Sequence, residues 1–245
     1  MQALLTMASA ISMTMAAATA HAPHWGYEGA EGPEHWGALA PDFATCTTGK
    51  AQSPIDHAAF DAKQAVSVRA DYHAGALSLL HNGHTVQANF APGSTLVSGG
   101  HSYNLVQVHF HTPSEEAFNG KHYPMVAHFV HKDAAGKLAV LGVMFEEGAP
   151  NAELTKLIDH APKSATPTHD VAGVAINPAA LLPQDLHVYR YTGSLTTPPC
   201  SEGVTWHVAV KPTHASKEQI GALHAIMGNN ARPVQPLNGR HLIAD

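Results

Sequence analysis

The 245-residue chain is short of cysteine and of charge: it has two cysteines, and Asp, Glu, Lys and Arg together make up 13%. Two cysteines exclude a disulfide-dense miniature scaffold and a four-cysteine zinc finger. Thirteen Lys and Arg against nineteen Asp and Glu leave a formal charge of −6, which excludes a basic nucleic-acid binder. An apolar content of 44% excludes an acidic disordered chain. After residue 22 no apolar run is long enough to span a membrane, so no membrane partner is expected. Gly/Ser linkers, charge blocks and internal repeats are missing as well.

What is abundant is histidine, with 20 residues. That enrichment points to metal or proton chemistry. At this frequency, however, chance alone supplies about one or two His-x-His pairs, so setting must decide rather than count.

Residues 1–22 contain no Asp, Glu, Lys or Arg, and end in the small-residue steps Ala18-Thr19-Ala20 and Ala20-His21-Ala22. They read as a cleavable export signal without its basic start, leaving 23–245 as one domain. An apolar helix that packs or spans a membrane is the other reading, but small and hydroxyl residues partition poorly into lipid. Export to the periplasm or the medium would suit Cys46 and Cys200 as a single disulfide. Two buried free thiols remain the alternative, and spacing does not choose between them.

Period-two alternation marks Leu77–Leu80, Thr85–Phe90, Leu105–His111, Val126–His131 and Leu138–Phe145 as strands. Helical patterns are confined to Ala152–His160 and Ser216–Met227, the latter with Ser216 as N-cap. The fold class is therefore mainly β (α+β) in one domain. Alternation places Gln107, His109 and His111 on one face of their strand, with Val106, Val108 and Phe110 on the other. In the next strand it places Val126, His128 and Val130 together, opposite Met125, Ala127, Phe129 and His131. Two imidazoles one pleat apart, with His128 projecting from a valine-lined face, suit a three-histidine zinc site with an open fourth position. Gln107 is placed to orient one of the imidazoles through its other ring nitrogen. Core or surface histidines are the competing reading.

The chain resembles the α-class carbonic anhydrases of the exported bacterial branch, from about His24 to Arg240. The resemblance rests on His24-Trp-Gly-Tyr27, Gln52-Ser-Pro-Ile55, Asn82-Gly-His84, Gln107-Val-His-Phe-His111 and Pro113-Ser-Glu-Glu116. It continues through Ala127-His-Phe-Val-His131, Gly193-Ser-Leu-Thr-Thr-Pro-Pro199 and Arg232-Pro-Val-Gln-Pro236. It implies a twisted, largely antiparallel central sheet with short peripheral helices. It also implies a Zn²⁺ cofactor on His109, His111 and His128, hydrating carbon dioxide to bicarbonate by zinc-hydroxide attack. By the same likeness Thr196 is the gatekeeping hydroxyl and Glu115 the carboxylate that orients it. His84 is the proton shuttle, with Tyr27 and Asn82 ordering the water network. Val130, Val140, Leu195, Val204 and Trp206 form the substrate pocket, with Thr197 beside the gatekeeper. Cys46 and Cys200 match the family's disulfide, and relatives that pair leave a homodimer open.

Two departures from the family pattern stand out. Val126 occupies the place of a glutamate that accepts a bond from the third ligand, and Glu116 stands where a histidine is common. The first predicts weak zinc retention unless water or another side chain takes that place. A non-catalytic exported zinc-binding or buffering protein is the competing function.

Overall fold

The computed structural model describes residues 23–57, 62–63 and 67–244. The expected export signal at 1–22 lies outside them. Within the described residues the alternating segments pair into one large sheet. Its central strands, in spatial order, are Val188–Ser194, Glu202–Ala209, Leu138–Glu147, Met125–Lys132, His101–His111, Val86–Asn89, Gly75–His81 and Thr166–Ile176. Neighbours along this path run antiparallel, apart from the parallel pair Leu138–Glu147 with Glu202–Ala209. The sheet is thus mixed, though largely antiparallel.

Helices are few and short, as the scarcity of 3.6-residue periodicity requires. Ala152–His160 starts at Asn151, whose side chain accepts from the Glu153 and Leu154 amides. Lys217–Met227 starts at Ser216 in a full capping box with Gln219.

The two faces of the central strands have different neighbours. Leu105, Val108, Phe110, Met125, Ala127, Phe129, Leu141, Val143 and Phe145 join the main core, against which both helices pack. Each of the larger of these side chains, fully buried, adds roughly 1.5–3 kcal/mol of transfer free energy. The opposite face carries a smaller apolar cluster that includes Val126, Val130, Val140, Val204 and Trp206. The expected division of Met125–Lys132 into two faces is therefore observed.

One expectation needs correction. Val106 does not share the buried face of Val108 and Phe110 but is 42% exposed. A bulge between Leu105 and Gln107 explains this, because His131 pairs with Leu105 while the next residue, Val130, pairs with Gln107. The extra residue shifts the alternation by one, putting Leu105 on the core face with Val108. From Gln107 onward the alternation is as expected.

Candidate metal centre and active site

His109 and His128 are direct cross-strand partners, and His111 stands one pleat beyond His109. The three rings gather with centroids 4.7–5.3 Å apart. One ring nitrogen from each lies within 4.8 Å of the other two. No other group of three or more His, Cys, Asp or Glu among the described residues meets that condition.

The remaining ring nitrogens are all engaged. His109 Nδ1 donates to the Gln107 side-chain oxygen at 2.8 Å, and His111 Nδ1 donates to the Asn230 carbonyl at 2.7 Å. His128 Nε2 donates to Glu116 Oε1 at 3.0 Å. A neutral imidazole that donates from one nitrogen presents a lone pair on the other. The lone pairs of His109 Nε2, His111 Nε2 and His128 Nδ1 therefore face the shared space, and His111 Nε2 is buried there without a hydrogen-bond partner. Burial, reinforced by the neighbouring histidines, holds His109 far below the usual imidazole range and His111 at about 3. Burial acts on His128 too, but the Glu116 charge and hydrogen bond, with help from Glu115, outweigh it and raise its pKa. Three converging, half-satisfied imidazoles are a chemically fitting donor set for Zn²⁺.

Glu115 and Glu116 are both fully buried beside this cluster. Glu115 Oε2 lies 3.5 Å from His111 Nε2 and 3.8 Å from His128 Nδ1. Its Oε1 accepts from the Arg232 amide at 2.8 Å, and the nearby Thr196 side chain helps to lower its pKa. Burial pushes Glu115 up to about 7, with His128 opposing that shift and Glu116 adding to it.

Thr196 sits in a loop pinned from both sides. The Leu195 amide donates to Ser201 O, and the Cys200 amide donates to Thr197 O. The disulfide Cys46–Cys200 forms, with an S–S distance of 2.07 Å across 154 residues. Closing a loop of that size is worth about 5 kcal/mol in the chain-entropy view. Cys200 itself has φ 56°, a left-handed conformation unusual for a residue with a side chain.

The expected apolar pocket residues fall into one cluster: Val140, Val204 and Trp206 buried, Val130 and Leu195 packed against them. The Trp206 ring meets His128 edge-on at 5.0 Å, and its indole nitrogen donates to Ser194 O. On the other side of the histidines a cavity of about 210 Å³ is lined by Tyr27, Asn82, His84, His109, His111 and Thr197, among others. His84 is half-buried and stacks on Trp25 at 3.6 Å. Asn82 shapes the turn, its side-chain oxygen accepting from the His84 and Thr85 amides. Burial, then the charges of His24 and His81, keep the His84 pKa below the ordinary histidine value.

Four contributors were not legible as such. Asn230 holds His111 through its carbonyl and Thr112 through its side chain. Arg232, buried, ties the Glu115 carboxylate to Gln52, Ser53 and Cys46. Trp25 supplies the surface for His84, and Glu116 supplies the acceptor for His128. The first two lie in an irregular stretch after the last helix, where periodicity carries no signal. Val126 is fully buried in the apolar cluster and offers His128 nothing, but Glu116 takes that place, so His128 is not left without a partner.

Comparison with known proteins agrees with this geometry. The family model described as eukaryotic-type carbonic anhydrase matches residues 31–245. The carbonic anhydrase of Pectobacterium carotovorum is 44% identical over 250 residues, covering 99% of this chain and all of the relative. The α-carbonic anhydrase of Thermovibrio ammonificans, solved with the inhibitor sulfanilamide, superposes with a TM-score of 0.87 at 44% identity. It covers 91% of this chain and 100% of its own. Photobacterium profundum α-carbonic anhydrase gives a TM-score of 0.84 at 48% identity, with 90% and 100% covered. With the fold, the histidine cluster and these likenesses in agreement, the chain belongs to the eukaryotic-type, or α, carbonic anhydrase family of enzymes.

Proposed function

We propose that the chain, exported from the cell, catalyses reversible hydration of carbon dioxide to bicarbonate and a proton, with zinc on His109, His111 and His128. The observation that carries this reading is the convergence of three imidazole lone pairs beside the buried Glu115 carboxylate and an apolar cluster. A zinc ion held there supplies a Lewis acid that brings the pKa of a water to about 7, carbonic anhydrase being the standard example of that value.

The protein's own groups then have separate tasks. The Thr196 hydroxyl donates to the Glu115 carboxylate, so its oxygen is free to accept, and only a protonated oxygen can donate to it. Thr196 thereby orients the attacking oxygen. The Arg232 amide keeps Glu115 in place for this. Val130, Val140, Leu195, Val204 and Trp206 shelter an apolar, linear substrate and exclude competing water, with Thr197 at the cavity wall. Tyr27 and Asn82 line the way from the histidines to His84. His84, with its lowered pKa, is uncharged at neutral pH and accepts the proton that each turnover releases. The disulfide fits an oxidising compartment, and no described helix is long and apolar enough to cross a membrane.

The test is carbon dioxide hydration by stopped flow, with zinc content and sulfonamide inhibition measured on the same sample. Hydration with about one zinc per chain supports the reading. Stoichiometric zinc without hydration favours the buffering function instead. Replacing His84 with alanine is expected to slow turnover by up to about 10²-fold in dilute buffer, with partial rescue by imidazole. An unchanged rate in dilute buffer rejects the shuttle assignment.

A further inference from the structure

We infer that Glu116 is the positioning residue for the third metal ligand, doing from a neighbouring loop what Val126 on the ligand's own strand cannot. The inference rests on the zinc reading above.

Of the three ring nitrogens turned away from the shared space, two meet neutral oxygens, of Gln107 and Asn230. Only His128 Nε2 meets a carboxylate. An ionised carboxylate accepts and never donates, so it fixes the hydrogen on Nε2 and the lone pair on Nδ1. It also makes the imidazole a more basic donor toward a cation.

The contact is built into the fold. The Ser114 hydroxyl donates to Glu116 O at 2.7 Å and accepts from the Tyr123 amide. The next residue, Ala117, is bonded to Ile55 and His57 through its backbone. Opposite His128 in the sheet register stands Gly142, and a Cβ there would come within 3.4 Å of Glu116 Oε1. The Glu116 carboxylate therefore packs over Gly142 at ordinary van der Waals range. Val126, meanwhile, shares the His128 face one pleat away and packs against apolar neighbours. The carboxylate that addresses the His128 ring nitrogen in this chain is at 116.

The experiment measures zinc affinity by chelator competition for wild type, Glu116→Gln, Glu116→Ala and the double variant Glu116→Ala/Val126→Glu, alongside thermal unfolding of each zinc-free protein. Glu116→Ala is expected to weaken zinc binding by about 10–100-fold, the usual effect of losing a ligand's hydrogen-bond partner. Glu116→Gln, which keeps an acceptor oxygen but not the charge, should fall between that and wild type. The double variant should recover most of the loss. The zinc-free single variants should unfold somewhat earlier than zinc-free wild type, because they leave the buried His128 without its hydrogen-bonded partner, so affinity is the deciding readout. Affinity of Glu116→Ala within about twofold of wild type, well short of the usual loss, overturns the inference. So does a double variant no better than Glu116→Ala, or a loss of zinc-free stability with affinity unchanged. Wild type that binds no zinc overturns the zinc reading itself, which is a separate result.

Discussion

His128 and His131 lie three residues apart on one strand, are both fully buried, and end in opposite environments. His131 points into the main-core side of the sheet and has both nitrogens engaged. The Tyr72 hydroxyl donates to its Nε2 at 2.7 Å, and its Nδ1 donates to Ala139 O at 3.3 Å. Burial, with the charge of His207 adding to it, holds its pKa at about 3. His128 points to the other face with one nitrogen engaged by a carboxylate and the other turned toward two further imidazoles. Burial is common to both residues, so it does not distinguish them. A ligand histidine is a buried histidine left half satisfied and aimed at others in the same condition; a structural one is closed on both sides.

The sharpest way to break this contrast is to truncate each residue in turn. His128→Ala should lose bound zinc and carbon dioxide hydration together, measured by metal analysis and stopped flow. His131→Ala should keep both while losing roughly 2–4 kcal/mol of stability in denaturant unfolding. That loss comes from a cavity and an unsatisfied Tyr72 hydroxyl. Equal loss of zinc from both variants would show that the two faces are not functionally separate.

A smaller effect separates the faces by pH. His131 and His207 titrate at about 3 and about 4 in the folded chain, below the 6.5 of an ordinary histidine. The unfolded chain therefore takes up protons first as pH falls. Their contribution to stability is complete above pH 6.5 and is lost as pH drops toward and through those values. The slope is up to about 1.4 kcal/mol per pH unit for each group. Replacing the pair as Tyr72→Phe/His131→Leu should flatten the acid limb of a stability–pH curve by one group's slope. Superimposable curves would contradict a buried neutral His131.

Much of this was legible because strand alternation is a local property. Gln107, His109 and His111 follow one another on a face by geometry alone, and the division of Met125–Lys132 is equally readable. So were both longer helices, down to the Ser216 cap. Val106 was misplaced because a bulge depends on the partner strand, which alternation within one strand does not contain. Glu116 was visible only as a departure from a pattern. Its use could not be read, since the loop that carries it meets His128 through contacts with Ile55, His57 and the space above Gly142. Asn230 and Arg232 lie more than a hundred residues from the side chains they hold.

By itself the sequence determined the residue types, the two-residue period that lines three histidines toward one side, and a family resemblance strong enough to name the chemistry. Only the tertiary structure decided which nitrogen of each ring is tied down, which carboxylate ties the third, and which buried histidine is closed. Those choices depend on which distant backbone and side-chain groups fill the remaining hydrogen-bonding positions. In a buried site each such position must be filled or aimed at something, and chain order does not reveal by what.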